Sequence, residues 1–282
     1  LKRPKACFGK YSCSSFVLDI FQDENEDEND FTAMHRFYLS PEHCAGAALR
    51  LSGREAHHAL RVLRVKYGEL VAVLDGIGNE FLCTVENCAR DAVTLSVSLK
   101  HFTPSPPCPV TLLVAVPRGK IIEDIVQKAV ELGAHRVVPL LTERVATHLN
   151  AEAAADKRDK WQQVAVEAVK QCGALWLPRI EMPVTIEQFL ARPERFDFSI
   201  VGSLQTGRRQ PRECFEEFLA RHGRRPQSAA VWIGPEGDFT LEELQAIQNS
   251  GAQPISLGKL VLRVETAAVY CLSILNYELQ RD

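Results

Sequence analysis

Thr103-Pro104-Ser105-Pro106-Pro107-Cys108-Pro109 places four prolines in seven residues. Neither a helix nor a strand ladder tolerates that density, because each proline lacks an N–H and fixes its φ. The hydrophobic period differs on the two sides. The chain is therefore expected to divide into a folded domain at residues 34–102, a stiff linker at 103–109 and a second domain at 110–282. With 282 residues and 46% hydrophobic content, the chain can supply a core for each.

Before the linker the pattern is short and strand-like. Residues 70–74, 80–85 and 92–97 are separated by Asp75-Gly76 and Ala89-Arg90-Asp91 turns and read as strands of a small barrel or sandwich. From Arg54 to Lys66 a helical pattern puts Ala59, Val62 and Leu63 on one face, with Arg54, Arg61, Arg64 and Lys66 elsewhere and only Glu55 opposing those cations. Such a basic cluster suits contact with a phosphate backbone, and a merely solvated face is the competing reading. The adjacent His57 and His58 fit packing or capping better than metal ligation.

After the linker the chain alternates. Residues 110–116 form a continuous apolar run, Ile122, Ile125, Val126 and Ala129 recur at helical spacing up to Gly133, and 136–141 are apolar again. Trp161, Val164, Ala165, Ala168, Val169 and Cys172 make a second amphipathic helix, and 198–201, 229–233 and 253–257 are further strands. This alternation predicts an α/β domain, a parallel sheet with helices on both faces. Beyond strand 229–233, Gly234-Pro235-Glu236-Gly237 runs into Thr240-Leu241-Glu242-Glu243, a helix start with Thr at the N-cap and Glu at N3. Loops at the carboxyl ends of parallel strands face ligand clefts, and the two glycines are expected to supply positive φ and close backbone approach. A second glycine-containing loop, 257–267, enters the C-terminal helix. Neither loop is a GxGxxG or a Walker sequence, which removes the main support for dinucleotide or nucleoside triphosphate binding.

Composition narrows the class further. No 18 apolar residues run together and no signal-peptide order opens the chain, so no membrane association and a cytoplasmic location are expected. Nine cysteines without a CxxC pair point to reduced thiols, used as small apolar residues, and to no metal site. Six acids between Asp23 and Asp30 mark residues 1–33 as an expected disordered acidic extension, with Met34 a candidate start residue.

The two loops carry a resemblance. Ile233-Gly234-Pro235-Glu236-Gly237-Asp238-Phe239, and Leu257-Gly258 through Leu262-Arg263-Val264-Glu265-Thr266-Ala267, resemble signature loops of the RsmE family of 16S ribosomal RNA uridine methyltransferases in the SPOUT superfamily. Arg36-Phe37-Tyr38-Leu39, residues 57–64, 127–133, 139–144 and 167–173 resemble its other motifs in order, so the likeness spans 34–280. It implies a PUA-like β-barrel followed by a SPOUT domain with a trefoil knot and parallel sheet. It further implies S-adenosylmethionine as cofactor, a homodimer through the knot region, and methyl transfer to N3 of a uridine in the RNA of the small ribosomal subunit. On this resemblance Leu204, Ile233, Gly234, Glu236, Gly237, Leu257, Gly258, Leu262, Thr266 and Ala267 bind the cofactor. Arg36, His57, Arg61, Arg64, Lys66, Arg118 and Lys120 contact RNA, and Arg263 and Glu265 are catalytic.

Residue chemistry adds to this. The protein must align the uridine nitrogen and ease loss of its proton. Arg263 is suited to stabilise negative charge on the uracil, and Glu265 to take the proton or orient Arg263. Inside the apolar stretch Leu260-Val261-Leu262, Arg263 is expected to need a partner if buried. Four departures stand against the family pattern: Asp238 in place of a glycine, Lys259-Leu260 in place of a small residue or proline followed by arginine, Val264 in place of threonine, and Leu175 in place of arginine. They leave open a methyltransferase for another RNA and an RNA-binding SPOUT protein without activity.

Overall fold

The computed structural model describes residues 34–144 and 150–279; the acidic block, and with it the expected extension, lies outside the described residues. The first sheet is built from His35–Tyr38 (β1), Ala48–Ser52 (β2), Leu70–Leu74 (β3), Asn79–Cys88 (β4) and Ala92–Phe102 (β5), with a short helix, Gly53–His57 (α1), after β2. Its order is β1-β3-β4-β5-β2, with β1 parallel to β3 and the other pairs antiparallel. Two register shifts between β4 and β5, at Leu82/Cys83 and Val85/Asn87, bend the sheet. It curls around Phe37, Leu49, Leu51, Val71, Val73, Val85 and Leu95.

The expected helix from Arg54 to Lys66 is corrected in the structure. After α1 the chain widens into a π-type turn at His58–Leu63 and stops at Arg64, whose φ is 59°. Wider winding breaks the 3.6-residue period on which the expected face rests. Ala56 and Ala59 are buried and Leu63 packs at the core's edge, but Val62 turns outward and is 60% exposed. Glu55 also fails to oppose the cluster's cations. Its Oε1 lies 2.9 Å from Lys170 Nζ, and its Oε2 accepts from the Tyr38 N–H at 3.2 Å.

The second sheet is wholly parallel. In chain order its elements are Val110–Ala115 (β6), Ile121–Glu131 (α2), Arg136–Leu141 (β7), Ala151–Cys172 (α3), Arg179–Ile180 (β8), Val184–Thr185 (β9) and Ile186–Leu190 (α4). Phe198–Gly202 (β10), Pro211–His222 (α5), Ala229–Ile233 (β11), Leu241–Asn249 (α6), Gln253–Ile255 (β12) and Val264–Leu279 (α7) follow. The strand order is β12-β10-β11-β6-β7-β8, with β9 also on β7. Successive residues of a strand point to opposite faces. Leu112, Val114, Val231 and Ile233 meet Ile125, Trp161, Phe215 and Leu275 on one side, whereas Leu113, Val138, Ala230 and Trp232 meet Phe189, Leu244 and Ile247 on the other. Burial on both faces is why these strands read as unbroken apolar runs.

The proline stretch is anchored at Thr103 and Cys108, while residues 104–107 are exposed. The Thr103 N–H donates to the Gly78 carbonyl at 2.8 Å, Trp176 Nε1 donates to the Thr103 carbonyl at 3.0 Å, and Cys108 is buried. Burial pushes the thiols of Cys83 and Cys271 up to about 12, as expected of apolar packing groups, although Cys88 and Cys172 are exposed. No helix among the described residues is long and apolar enough to cross a membrane.

Lys170 on α3, 7% exposed, joins the two sheets through Glu55 and also lies 2.9 Å from Glu167. Arg54 reinforces the joint at 2.8 Å from Gln163 and 3.4 Å from Glu167. Removing one partner of a buried pair strands the other charge. Lys170→Met should therefore lower the unfolding free energy by about 3 kcal/mol, and adding Glu55→Gln should restore most of it. Denaturant midpoints of the single and double variants check this; an additive double variant would mean that the pair is uncoupled.

Candidate ligand cleft at three strand ends

The loops leaving β10, β11 and β12 enclose a cleft that opens to solvent. Gly202 at the end of β10 is followed by Ser203, Leu204 and Arg208, Ile233 at the end of β11 by Gly234, Pro235, Glu236 and Asp238, and the third loop gives Leu257, Gly258, Leu260, Val261 and Leu262, with Val264 and Ala267 from the start of α7. Of the expected binding residues, Leu204, Ile233, Gly234, Glu236, Leu257, Gly258, Leu262 and Ala267 line it. Gly237 and Thr266 do not. Gly237 is exposed and directs its carbonyl to Arg144 Nη1, while Thr266 sits on the exposed side of the first turn of α7.

Positive φ is not where the glycines suggested. Neither Gly234 nor Gly237 adopts it; Asp238 does, at 64°, and Gly258 does at 108°. Aspartate is one of the few residues with a side chain that visits the left-handed region at modest cost. Gly234 is needed for space instead, since a Cβ there would stand 3.1 Å from Phe239 N and 3.2 Å from Phe239 Cδ2.

Asp238 ties two loops together. Its Oδ1 accepts from the Phe239 N–H and its Oδ2 from the Leu204 N–H, both at 2.9 Å. Arg144, beyond β7, donates to the carbonyls of Gly237 and Asp238. Buried Glu243 accepts from the N–H groups of Glu143 and Thr240, each at 2.9 Å, and Thr240 Oγ1 accepts from the Glu243 N–H in the expected capping box. Sequence reasoning missed Arg144, Ser203 and Arg208 as parts of this site. The cues were the 139–144 motif, which ends on Arg144, and Gly207-Arg208-Arg209 between a strand and a helix.

Arg263 is exposed rather than buried, so the expectation that it needs a protein partner does not apply. The loop before it is itself at the surface, with Leu260 78% and Val261 72% exposed. Arg263 stands between the cleft residues Leu262 and Val264, and its carbonyl accepts from the Ala267 N–H at 2.8 Å. Glu265 is half-buried in the first turn of α7, where a carboxylate complements the helix dipole.

His57, Arg61, Arg64 and Lys66 are exposed along the π-type turn and its exit, beside Tyr67 at 81% exposure. Arg118 and Lys120 are exposed in the loop between β6 and α2. Arg36 differs from them in being half-buried. Its guanidinium packs on Gly173, the C-cap of α3, and its Nε is buried without a partner. Leu175 is 6% exposed in the core, where a charged side chain has no room.

Residues 104–276 match a family described as the RNA methyltransferase domain, and 51–98 match one described as the RNA methyltransferase PUA domain. Fold and cleft thus define the class: an RNA methyltransferase with an attached PUA domain. The ribosomal RNA small subunit methyltransferase E of Synechocystis is 30% identical over 90% of this chain and 80% of its own length. That of Aquifex aeolicus is 30% identical over 86% and 99%. A structure from Legionella pneumophila, described as a methyltransferase in complex with bound SAM, superposes with a TM-score of 0.78 at 30% identity, covering 87% of this chain and 98% of that one. The chain belongs to the ribosomal RNA small subunit methyltransferase E family.

Proposed function

We propose that this protein transfers the methyl group of S-adenosylmethionine to N3 of a uridine in small-subunit ribosomal RNA, in the cytoplasm. The observation that carries the cofactor assignment is the cleft itself, which eight of the ten expected residues line. Its lining suits an amphiphilic ligand, with Ile233, Leu257 and Leu262 as apolar walls and Arg208, Glu236 and Asp238 as polar points. A side chain at Gly234 would crowd Phe239 and Asp238 and so displace the loop that forms this wall.

The bound cofactor supplies an activated methyl group, so this chain's residues have to position the uridine and manage one proton. Arg263 reaches outward from the cleft's edge to meet the uracil and stabilise the negative charge that grows as N3 loses its proton. Glu265, one residue beyond Val264, takes that proton or steadies Arg263. Residues 34–102 act as the RNA-binding barrel, 103–109 as the linker and 110–282 as the catalytic SPOUT domain. Family membership supports a trefoil knot and a homodimer through it, and the exposed Leu260, Val261 and Tyr270 supply apolar surface for a second subunit.

The test is methylation of purified small subunits and of their naked RNA, with modified uridines mapped by mass spectrometry. Modification of a different RNA alone would redirect the substrate. Cofactor binding with no transfer to any RNA would favour the RNA-binding reading. For the basic surface, Arg61, Arg64 and Lys66 together replaced by alanine should weaken RNA binding. The log–log salt slope should flatten by about one unit for each phosphate no longer neutralised, with cofactor affinity unchanged. An unaltered slope would make these residues a solvated face.

A further inference from the structure

Asp238 stands where the family resemblance leads one to expect glycine, and the structure gives this substitution a consequence beyond loop geometry. Asp238 is 7% exposed and lines the cleft, and its carboxylate gives one oxygen to each of two backbone N–H groups. Those bonds hold it at a fixed position and orientation. Two other charged residues line the cleft: Glu236, which is exposed, and Arg208, whose Nη1 donates to the Ser203 carbonyl at 3.2 Å. Solvent screens an exposed charge far more than a buried one. Asp238 is thus the acid whose field acts on a bound ligand with least screening.

We propose that Asp238 determines selectivity within this cleft, favouring the positively charged sulfonium of S-adenosylmethionine over the neutral thioether of S-adenosylhomocysteine. The two ligands differ by one methyl group and one charge at sulfur. A fixed carboxylate therefore discriminates between them electrostatically, tightening the loaded form and leaving the spent one nearly unaffected. Glycine at this position takes positive φ freely but carries no charge. The inference rests on the proposed cofactor.

Calorimetric affinities for both ligands test it, in the wild-type protein and in Asp238→Asn and Asp238→Gly. Asparagine keeps the side chain's shape and tolerates the left-handed backbone, and glycine removes any strain at that φ. Both variants should lower the ratio of S-adenosylmethionine to S-adenosylhomocysteine affinity by about tenfold, the size expected of one partly screened charge pair. Loss of the loop tie alone would weaken the two ligands equally, so an unchanged ratio in both variants overturns the charge assignment. A wild-type protein that binds neither ligand overturns the cofactor reading and this inference with it. A wild-type protein that binds both, with variants of unchanged ratio, overturns the inference alone.

Discussion

Arg263→Ala should slow single-turnover methyl transfer by roughly a hundredfold, about 3 kcal/mol of transition-state stabilisation, the usual cost of losing one charge-stabilising donor. The backbone of Arg263 is anchored by the Ala267 N–H, its neighbours Leu262 and Val264 line the cleft, and its side chain is exposed. That exposure is what the proposed contact with the substrate requires. In the proposed mechanism its interaction grows only as charge develops on the uracil, so binding of RNA and of cofactor should change little while the rate falls. Lysine should rescue poorly, because a compact ammonium lacks the planar fork that reaches two acceptors together. The measurement is transfer from tritiated cofactor at saturating enzyme and RNA. A variant with near wild-type turnover would remove Arg263 from the mechanism.

Gly234→Val should weaken cofactor binding more than a hundredfold. The reason is packing, not φ: any Cβ at this position meets Phe239 N at 3.1 Å and Asp238 Oδ1 at 3.3 Å, and a β-branched side chain adds two further atoms. The nearest obstacle is backbone, which cannot swing aside as a flexible side chain does. The loop has to move, and it carries with it the Asp238 bond to the Leu204 N–H that joins the first two cleft loops. Gly234→Ala, with one added carbon, should cost about tenfold, a graded response consistent with ~1.4 kcal/mol of strain. Calorimetry with S-adenosylmethionine reads both variants. Unchanged affinity in the valine variant would place the ligand elsewhere.

Local pattern was enough for much of this chain. The proline-dense stretch falls between the two sheets, the parallel strands of the second unit are unbroken apolar runs, and Thr240 and Glu243 announce their capping box within a single helical turn. The position of the cleft was legible too, since its loops directly follow strands whose ends the sequence marks with glycine, whereas the eight of its sixteen lining residues that were expected came from the family resemblance. Each of these features depends on contacts between near neighbours or on the period of a single element.

What the tertiary structure alone decided involves partners distant in sequence. Asp238 reaches Leu204 across 34 positions, and Glu55 meets Lys170 across 115. No periodicity encodes such pairs. Val62 was turned outward by a π-type winding that the 3.6-residue period does not anticipate, and Arg36 was drawn to the carboxyl end of α3 by the packing of one sheet against the other's helix. Positive φ moved from the glycines to Asp238 for the same reason. Its carboxylate finds two backbone donors only once the loops of β10 and β11 stand side by side, and those bonds offset the cost of the left-handed backbone.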